Sequence, residues 1–241
     1  MSARFEELDW RQTPMGELIL RRRWDLTFRK EVYEIKLNDE FLMSSLFTVA
    51  EVEIGRLPLT KLAGTALDVV VGGLGLGYTA QTVLENPNVR SLVVVDALSE
   101  VIDWHERGLI PAGVTLTSDP RCTLVHGDFF AMARAATGLD PAAPERLFHA
   151  IIVDIDHSPR HLLHPSHAGF YESSGLQRLS EQLHPGGVFA LWSDDRPDED
   201  FTKALEKHFA EVEVEVVGFD NLSGKREAAN TIYLAKTASA R

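Results

Sequence analysis

Residues 67 to 77 read LDVVVGGLGLG, and this stretch constrains the fold more than any other part of the chain. Three valines run directly into four closely spaced glycines, and a helical pattern follows from Tyr78. Apolar, β-branched residues predict a buried strand, and glycines allow a tight turn from that strand into a helix. The segment therefore predicts one strand–turn–helix unit of an α/β protein.

The same unit recurs along the chain. Four more apolar strands, each followed by a helical segment, read SLVVVDA, CTLVHG, HAIIVDID and GGVFALWS. Nearly continuous apolar strands that alternate with helices predict a mostly parallel sheet covered on both faces. Two further strands, EVEVEVVGF and NTIYLAKT, close the chain with no helix between them, which predicts an antiparallel pair at one edge.

The amino-terminal part has a different pattern. Residues 14 to 37 carry β-branched and aromatic residues on a period of two, and LNDEF supplies a turn. The segment FTVAEVEIGRL, from Phe47 to Leu57, has helical spacing. We therefore expect residues 1–60 to form a small β element with a linking helix, and residues 61–241 to form the α/β domain.

Charge and hydropathy narrow the class of partner. The formal net charge of −12 argues against nucleic acid, because neutralisation of phosphates by Lys and Arg supplies most of that affinity, and it suits a cationic small substrate. No apolar run approaches the roughly 18 residues of a membrane helix, so we expect no membrane partner. The start, MSARFEELDWRQ, lacks an apolar signal core, which predicts a cytoplasmic protein. The single cysteine, Cys122, is expected to be a buried core thiol.

The spacing of the glycines separates three classes of ligand. A phosphate-binding loop needs Lys followed by Ser or Thr after its last glycine, but Tyr78 and Thr79 follow Gly77. The dinucleotide fingerprint needs G-x-G-x-x-G, and its third position falls on Tyr78. The spacing found is G-x-G-x-G at Gly73, Gly75 and Gly77, which favours an adenosyl compound lying against bare backbone.

Three acids follow three successive strands. Asp96 ends the second strand of the α/β domain, Asp128 follows the third, and Asp154 ends the fourth. Open α/β sheets bind ligands at the carboxyl ends of their strands, so we expect these acids to line one cleft with the glycine turn. Asp96 suits the ribose hydroxyls, and Asp128 suits the adenine amine.

The segments LDVVVGGLGLG, VVVDALSEVIDW, LVHGDFFAMA, HAIIVDIDHSP and EQLHPGGVFALW together resemble the spermidine synthase family. The resemblance covers roughly residues 14 to 236. It implies the Rossmann-like fold of class I S-adenosylmethionine-dependent methyltransferases, preceded by a small β element.

The resemblance implies a transferase that moves an aminopropyl group from decarboxylated S-adenosylmethionine to a diamine such as putrescine. It assigns Asp154 as the general base, Asp96 as the ribose-binding acid and Asp128 as the adenine-binding acid. It also implies a homodimer.

The chain departs from the family pattern in both halves of the expected site. Gly75 stands where the family has an aspartate that holds the donor's amine, and His157 stands where it has a second aspartate, with Asp156 beside it. In FLMSSLFTVAEVEIG no glutamine or Tyr-His pair matches the family, and the nearest acids are Glu51 and Glu53. Three alternatives stay open: aminopropyl transfer, methyl transfer from intact S-adenosylmethionine to another small acceptor, and a non-catalytic nucleotide-binding relative.

The segment DHSPRHLLHPSH places four histidines within eleven residues. Pro159 and Pro165 interrupt any helix that would align the imidazoles, so we expect no metal site. Because the segment follows the strand that ends in Asp154, it is expected to cover the acceptor pocket as a lid. We name Asp154, Asp156 and His157 as candidate catalytic residues, with His157 as an alternative base.

Overall fold

The computed structural model describes residues 5–135, 138–219 and 228–240. Its amino-terminal part is an antiparallel sheet of four strands in the order β1-β2-β3-β4. The strands are β1 (Phe5–Thr13), β2 (Gly16–Asp25), β3 (Lys30–Leu37) and β4 (Glu40–Ser44). The predicted strand pair corresponds to β2 and β3, with the turn between β3 and β4 at LNDEF. Strand β1 was not predicted, because its charged residues hide the alternation.

The rest of the described chain forms a seven-stranded sheet with helices on both faces. Its strands are β5 (Leu67–Gly72), β6 (Val89–Asp96), β7 (Cys122–His126), β8 (Phe148–Val153), β9 (Leu183–Ser193), β10 (Glu211–Phe219) and β11 (Ala228–Lys236). The order is β10-β11-β9-β8-β5-β6-β7. Strands β5 to β9 pair in parallel, and β10 and β11 pair antiparallel at one edge. The predicted sheet is therefore confirmed, including its antiparallel edge.

The helices are α1 (Val49–Thr60), α2 (Tyr78–Glu85), α3 (Ser99–Glu106), α4 (Pro111–Ser118), α5 (Phe129–Arg134), α6 (Ala168–Tyr171), α7 (Ser173–Ser180) and α8 (Glu199–Glu206). Helices α1 to α4 contribute to the core on one face of the large sheet, and α5 to α8 contribute to the core on the other. Helix α4 was not predicted, because PAGVTLTS combines glycine with β-branched residues that favour helices poorly.

The amino-terminal sheet packs against the α/β domain through specific contacts. Leu18, Leu20 and Ile35 belong to the same apolar core as the large sheet. The indole Nε1 of Trp104, which is completely buried, donates a 2.8 Å hydrogen bond to Oδ2 of Asp9. These contacts hold the amino-terminal sheet against the α/β domain. None of the helices in the described parts of the chain is long and apolar enough to cross a bilayer.

Candidate functional site

The candidate site lies where the direction of the sheet's connections reverses. Strand β5 is central, with β6 on one side and β8 on the other, so the carboxyl ends of β5 and β8 form a topological switch point. The N–H of Gly73 donates to the carbonyl of Val95 at 2.9 Å, and the N–H of Asp154 donates to the carbonyl of Gly72 at 2.9 Å. The glycine turn therefore lies between the ends of the two neighbouring strands, where such sheets bind ligands.

The three glycines of the turn are required by the protein's own packing. Gly73, Gly75 and Gly77 have φ angles of +95°, +47° and +87°, which side-chain-bearing residues rarely adopt. A Cβ on Gly73 would lie 2.1 Å from the carbonyl oxygen of Asp154, and one on Gly75 would lie 2.6 Å from Sδ of Met43. Protein atoms therefore occupy the space where each Cβ would be. The expectation that an adenosyl ligand rests on the bare backbone of this turn stays a prediction.

Asp96 holds the turn closed. Its Oδ2 accepts a 2.8 Å hydrogen bond from the N–H of Leu74, and its Oδ1 accepts one of 2.8 Å from the N–H of Leu98. Burial raises the pKa of Asp96, although these backbone hydrogen bonds oppose the rise. A backbone hydrogen bond from Gly75 also lowers the pKa of Asp96. Because a carboxylate can accept about four hydrogen bonds, about one acceptor position is left for the ribose. Asp96 therefore stabilises the glycine turn, and its role in binding the ribose stays a prediction.

Asp154 lies beside two residues from other elements. The hydroxyl of Thr79, in the first turn of α2, donates a 2.7 Å hydrogen bond to Oδ2 of Asp154 and lies 3.3 Å from the carbonyl oxygen of Glu51. Burial raises the pKa of Asp154 to about 6, and the Thr79 hydrogen bond limits the rise. Burial, followed by the charge of Asp154, raises the pKa of Glu51 to about 8. Because the charges of Asp154 and Glu51 repel each other and both side chains are half-buried, this pair of acids retains a proton at neutral pH.

Asp128 lies at the end of the next strand and is exposed. Its Oδ1 accepts a 3.0 Å hydrogen bond from the N–H of Ala131, so it caps the amino terminus of α5. This helix-capping contact is enough to explain why position 128 carries an acid, whether or not a ligand binds there. Its predicted role towards adenine stays a prediction.

Asp156 and His157 are placed differently from Asp154. The carboxylate of Asp156 is buried and accepts hydrogen bonds from the N–H of Leu163 at 2.7 Å, from Nδ1 of His167 at 2.8 Å and from the hydroxyl of Tyr171 at 2.9 Å. These contacts give Asp156 a role in shaping the loop. His157 is half-buried, and its carbonyl accepts a 2.6 Å hydrogen bond from the N–H of Asp194. Their parts in catalysis stay predictions.

The histidine segment is tied to the residues that follow β9. Arg160 pairs with Asp198 at 2.5 Å, and Nδ1 of His161 lies 2.9 Å from Oδ2 of Asp195. Within the described residues, the grouping with metal-binding geometry lies elsewhere: it comprises Asp68, His149 and His184, near the amino ends of β5, β8 and β9. The carboxylate of Asp68 is already bound by two guanidinium groups.

Several residues of the site were not predicted from sequence. In the sequence Glu51 is only an acid near the expected site, and nothing there indicates a role for Thr79 or Met43. No local pattern marks these positions, because their role depends on how β4, α1 and α2 meet over the ends of β8 and β9.

Comparison with known proteins gives relatives at low identity. No protein-family model matches the chain. Among curated proteins, putrescine N-methyltransferase 3 of Nicotiana tabacum is 30% identical over 135 residues, and putrescine N-methyltransferase 2 of Nicotiana attenuata is 29% identical over 135 residues. Each alignment covers 56% of this chain and about a third of the relative, 32% and 33% respectively. The chain therefore spans much less than the full length of these relatives.

Solved structures resemble the chain over nearly its whole length. A spermidine synthase in complex with the transition-state analogue AdoDATO superposes with a TM-score of 0.73 at 16% identity, covering 97% of this chain and 74% of that one. Spermidine synthase from Thermotoga maritima superposes with a TM-score of 0.71 at 16% identity, covering 97% and 73%. The predicted fold is confirmed: the chain has the fold of spermidine synthases, a Rossmann-like α/β domain behind a small antiparallel sheet.

Proposed function

We propose that this protein transfers an aminopropyl group from decarboxylated S-adenosylmethionine to an amine acceptor of the polyamine class. The observation that carries the proposal is the pair of acids Asp154 and Glu51 beside the glycine turn, at the switch point of the sheet. Acids that face no basic partner suit cationic substrates. The names of the similar structures, spermidine synthases, support the same reaction class.

Asp154 acts as the general base in this proposal. The attacking amine arrives as an ammonium ion and gives one proton to the Asp154 carboxylate. The freed nitrogen lone pair attacks the carbon of the aminopropyl chain that is bonded to the sulfonium. The new C–N bond forms as the C–S bond breaks. The electron pair of the C–S bond goes to sulfur, so that neutral methylthioadenosine is released. A carboxyl group with a pKa of about 6 is mostly ionised at pH 7 and can still retain the proton briefly.

The rest of the donor is held by the turn and its acids. Asp96 accepts from the ribose hydroxyls with the lone pairs that the turn leaves unused, and Asp128 accepts from the adenine amine. Positioning supplies much of the acceleration, since a sulfonium is already an activated leaving group. No step in this scheme calls for a metal.

A second candidate reaction is methyl transfer from intact S-adenosylmethionine to the same kind of amine. The observation that favours it is the similarity to the curated putrescine N-methyltransferases 2 and 3 described above. The same base and the same adenosine contacts serve both reactions. The two differ in which carbon on the sulfonium the amine attacks, and therefore in what the donor's chain contacts.

The product decides between the reactions. Purified protein is incubated with putrescine and either donor, and the products are separated by chromatography with mass detection. Aminopropyl transfer gives spermidine and methylthioadenosine, whereas methyl transfer gives N-methylputrescine and S-adenosylhomocysteine. Absence of any alkylated amine from a panel of polyamines, together with absence of methylthioadenosine binding in calorimetry, would overturn both reactions.

The proposal includes a homodimer, as the resemblance implies, and a location in the cytoplasm, as the sequence analysis expects. Light scattering coupled to size-exclusion chromatography measures the molar mass in solution. A mass of twice 26.8 kDa supports the dimer, and a mass of 26.8 kDa contradicts it.

A further inference from the structure

We infer that Glu51 binds the terminal ammonium of the donor's aminopropyl chain and thereby selects the decarboxylated donor. This inference rests on the proposed function and names a specificity-determining residue of the same site. It follows from three features: a turn without acids, an unpaired carboxyl group on α1, and the different tasks that two neighbouring acids can perform.

The glycine turn itself offers no counter-charge. Residues 72 to 78 read GGLGLGY, with no acidic side chain. Beside Gly75 the space is occupied by the thioether of Met43, whose Sδ lies 2.9 Å from the N of Leu76. Met43 belongs to β4, so the amino-terminal sheet closes this side of the turn with an apolar group. The terminal ammonium of the donor's aminopropyl chain must therefore bind an acid outside the turn.

Glu51 is such a partner. It is half-buried in the first turn of α1, and its carboxyl group has no partner on another residue among the described parts of the chain. The nearby basic side chains are paired elsewhere: Arg56 in α1 with Glu53 at 2.5 Å, and Lys61, directly after α1, with Glu213 at 2.5 Å. A carboxyl group that is partly buried without a cation is costly in its ionised form, and a bound ammonium would compensate that cost.

Two acids at the site then have separate tasks. Asp154 accepts the proton of the attacking amine, and Glu51 binds an amine that does not react. The carboxylate of intact S-adenosylmethionine would lie close to Glu51 and would repel the ionised form of Glu51 that a bound ammonium favours. Glu51 therefore disfavours the intact donor and admits its decarboxylated form.

Binding of this ammonium has a protonation signature. In the free protein the raised pKa of Glu51 leaves its carboxyl group largely protonated at pH 7. The titratable groups that interact with it are Asp154 at the end of β8 and Tyr78 in α2, and the pKa of Tyr78 is raised by burial, so the phenol stays neutral. An ammonium against Glu51 favours its ionised form, so binding expels a proton. Methylthioadenosine has no such ammonium and expels none.

Isothermal titration calorimetry at pH 7 in phosphate and in Tris tests the inference, because the difference between buffers counts released protons. The ligands are decarboxylated S-adenosylmethionine, intact S-adenosylmethionine and methylthioadenosine. We expect Glu51→Gln to weaken the decarboxylated donor by about 10- to 100-fold, to abolish proton release and to leave methylthioadenosine affinity within about threefold. Glu53→Gln, two residues along the same helix, is the matched control and should bind like the wild type.

Three outcomes would overturn the inference. The first is a wild type that binds the intact donor more tightly than the decarboxylated one. The second is a Glu51→Gln variant that binds all ligands as the wild type does, or that weakens methylthioadenosine equally. The third is a wild type that binds none of the three ligands, which removes the proposed function as well, whereas the first two leave the adenosine pocket standing. Glu51→Asp, which keeps the charge, should retain proton release and so separates charge from folding.

Discussion

The hydroxyl of Thr79 donates a 2.7 Å hydrogen bond to Oδ2 of Asp154, although the two residues are 75 positions apart in the sequence. The bond joins the first turn of α2, directly after the glycine turn, to the end of β8. It favours the ionised form of Asp154, whereas burial favours the protonated form. Thr79 therefore keeps the proposed base available at neutral pH and fixes the direction of its carboxylate.

Replacing Thr79 by valine should shift the pH profile of the enzyme. Without the hydroxyl, the pKa of Asp154 rises above its value of about 6, so the acidic limb of kcat/KM should move up by about one pH unit. Activity at pH 6.5 then falls more than activity at pH 8.5. Thr79→Ser keeps the hydroxyl and should keep the profile. An unchanged limb in the valine variant would remove Thr79 from the control of Asp154.

Replacing Asp154 by asparagine should separate catalysis from binding. The amide cannot accept the proton, so turnover should fall by about 100- to 10,000-fold. Its oxygen can still accept the hydrogen bond from Thr79, so the local structure should persist. Steady-state rates and calorimetry with methylthioadenosine measure the two quantities, and affinity should stay within about threefold. Near-normal turnover in this variant would show that another group is the base.

Replacing Asp96 by alanine should damage both the turn and donor binding. The N–H groups of Leu74 and Leu98 would lose their acceptor, which costs about 1 to 3 kcal/mol for each buried unpaired donor. Urea unfolding measures that loss, and calorimetry with methylthioadenosine should show at least about tenfold weaker binding if the ribose also contacts Asp96. A destabilised variant with unchanged affinity would assign Asp96 to the turn alone.

The sequence predicted the large sheet well because its strands are apolar throughout. Residues of β5 and β8 are almost entirely buried, and such strands stand out in any sequence. Strand β1, FEELDWRQT, is mostly exposed, and its bulge between Glu7 and Asp9 breaks the period of two. Helix α4, PAGVTLTS, was not predicted because its glycine and β-branched residues favour helices poorly.

Some residues of the candidate site could likewise be predicted from the sequence, and others could not. The glycine turn and Asp154 directly follow strands, so the sheet topology alone brings them together. Glu51 and Met43 reach the site only because α1 and β4 pack over the sheet, and no local pattern encodes that packing. The loop residue Asp156 shows the opposite case: it lies only two residues after Asp154, yet its carboxylate accepts hydrogen bonds inside the loop from Tyr171 and His167.

Asp68 lies near the amino end of the central strand β5, at the end of the sheet opposite to the candidate site, and its ion pairs should stabilise the fold. Asp68 is 3% exposed, and its carboxylate pairs with Arg90 and, at 2.6 Å, with Arg146, while Ser91 also donates to it. Burial by itself raises the pKa of Asp68, but the hydrogen bonds from these three residues outweigh it and lower the pKa to about 2.

Because the pKa in the folded protein lies below the ordinary value of 3.8, the ion pairs stabilise the fold above about pH 4, and this stabilisation is lost as the pH falls towards 2. The loss should amount to about 2 kcal/mol. Asp68→Asn removes the carboxylate that Arg90 and Arg146 share, although Arg146 keeps its 2.9 Å ion pair with Asp140. The substitution should therefore cost about 2 kcal/mol at pH 7. Urea unfolding at pH 7, 4 and 3 tests both effects: the difference between variant and wild type should shrink as the pH falls. A constant difference across this range would mean that Asp68 titrates at its ordinary pKa and that its arginine pairs contribute little.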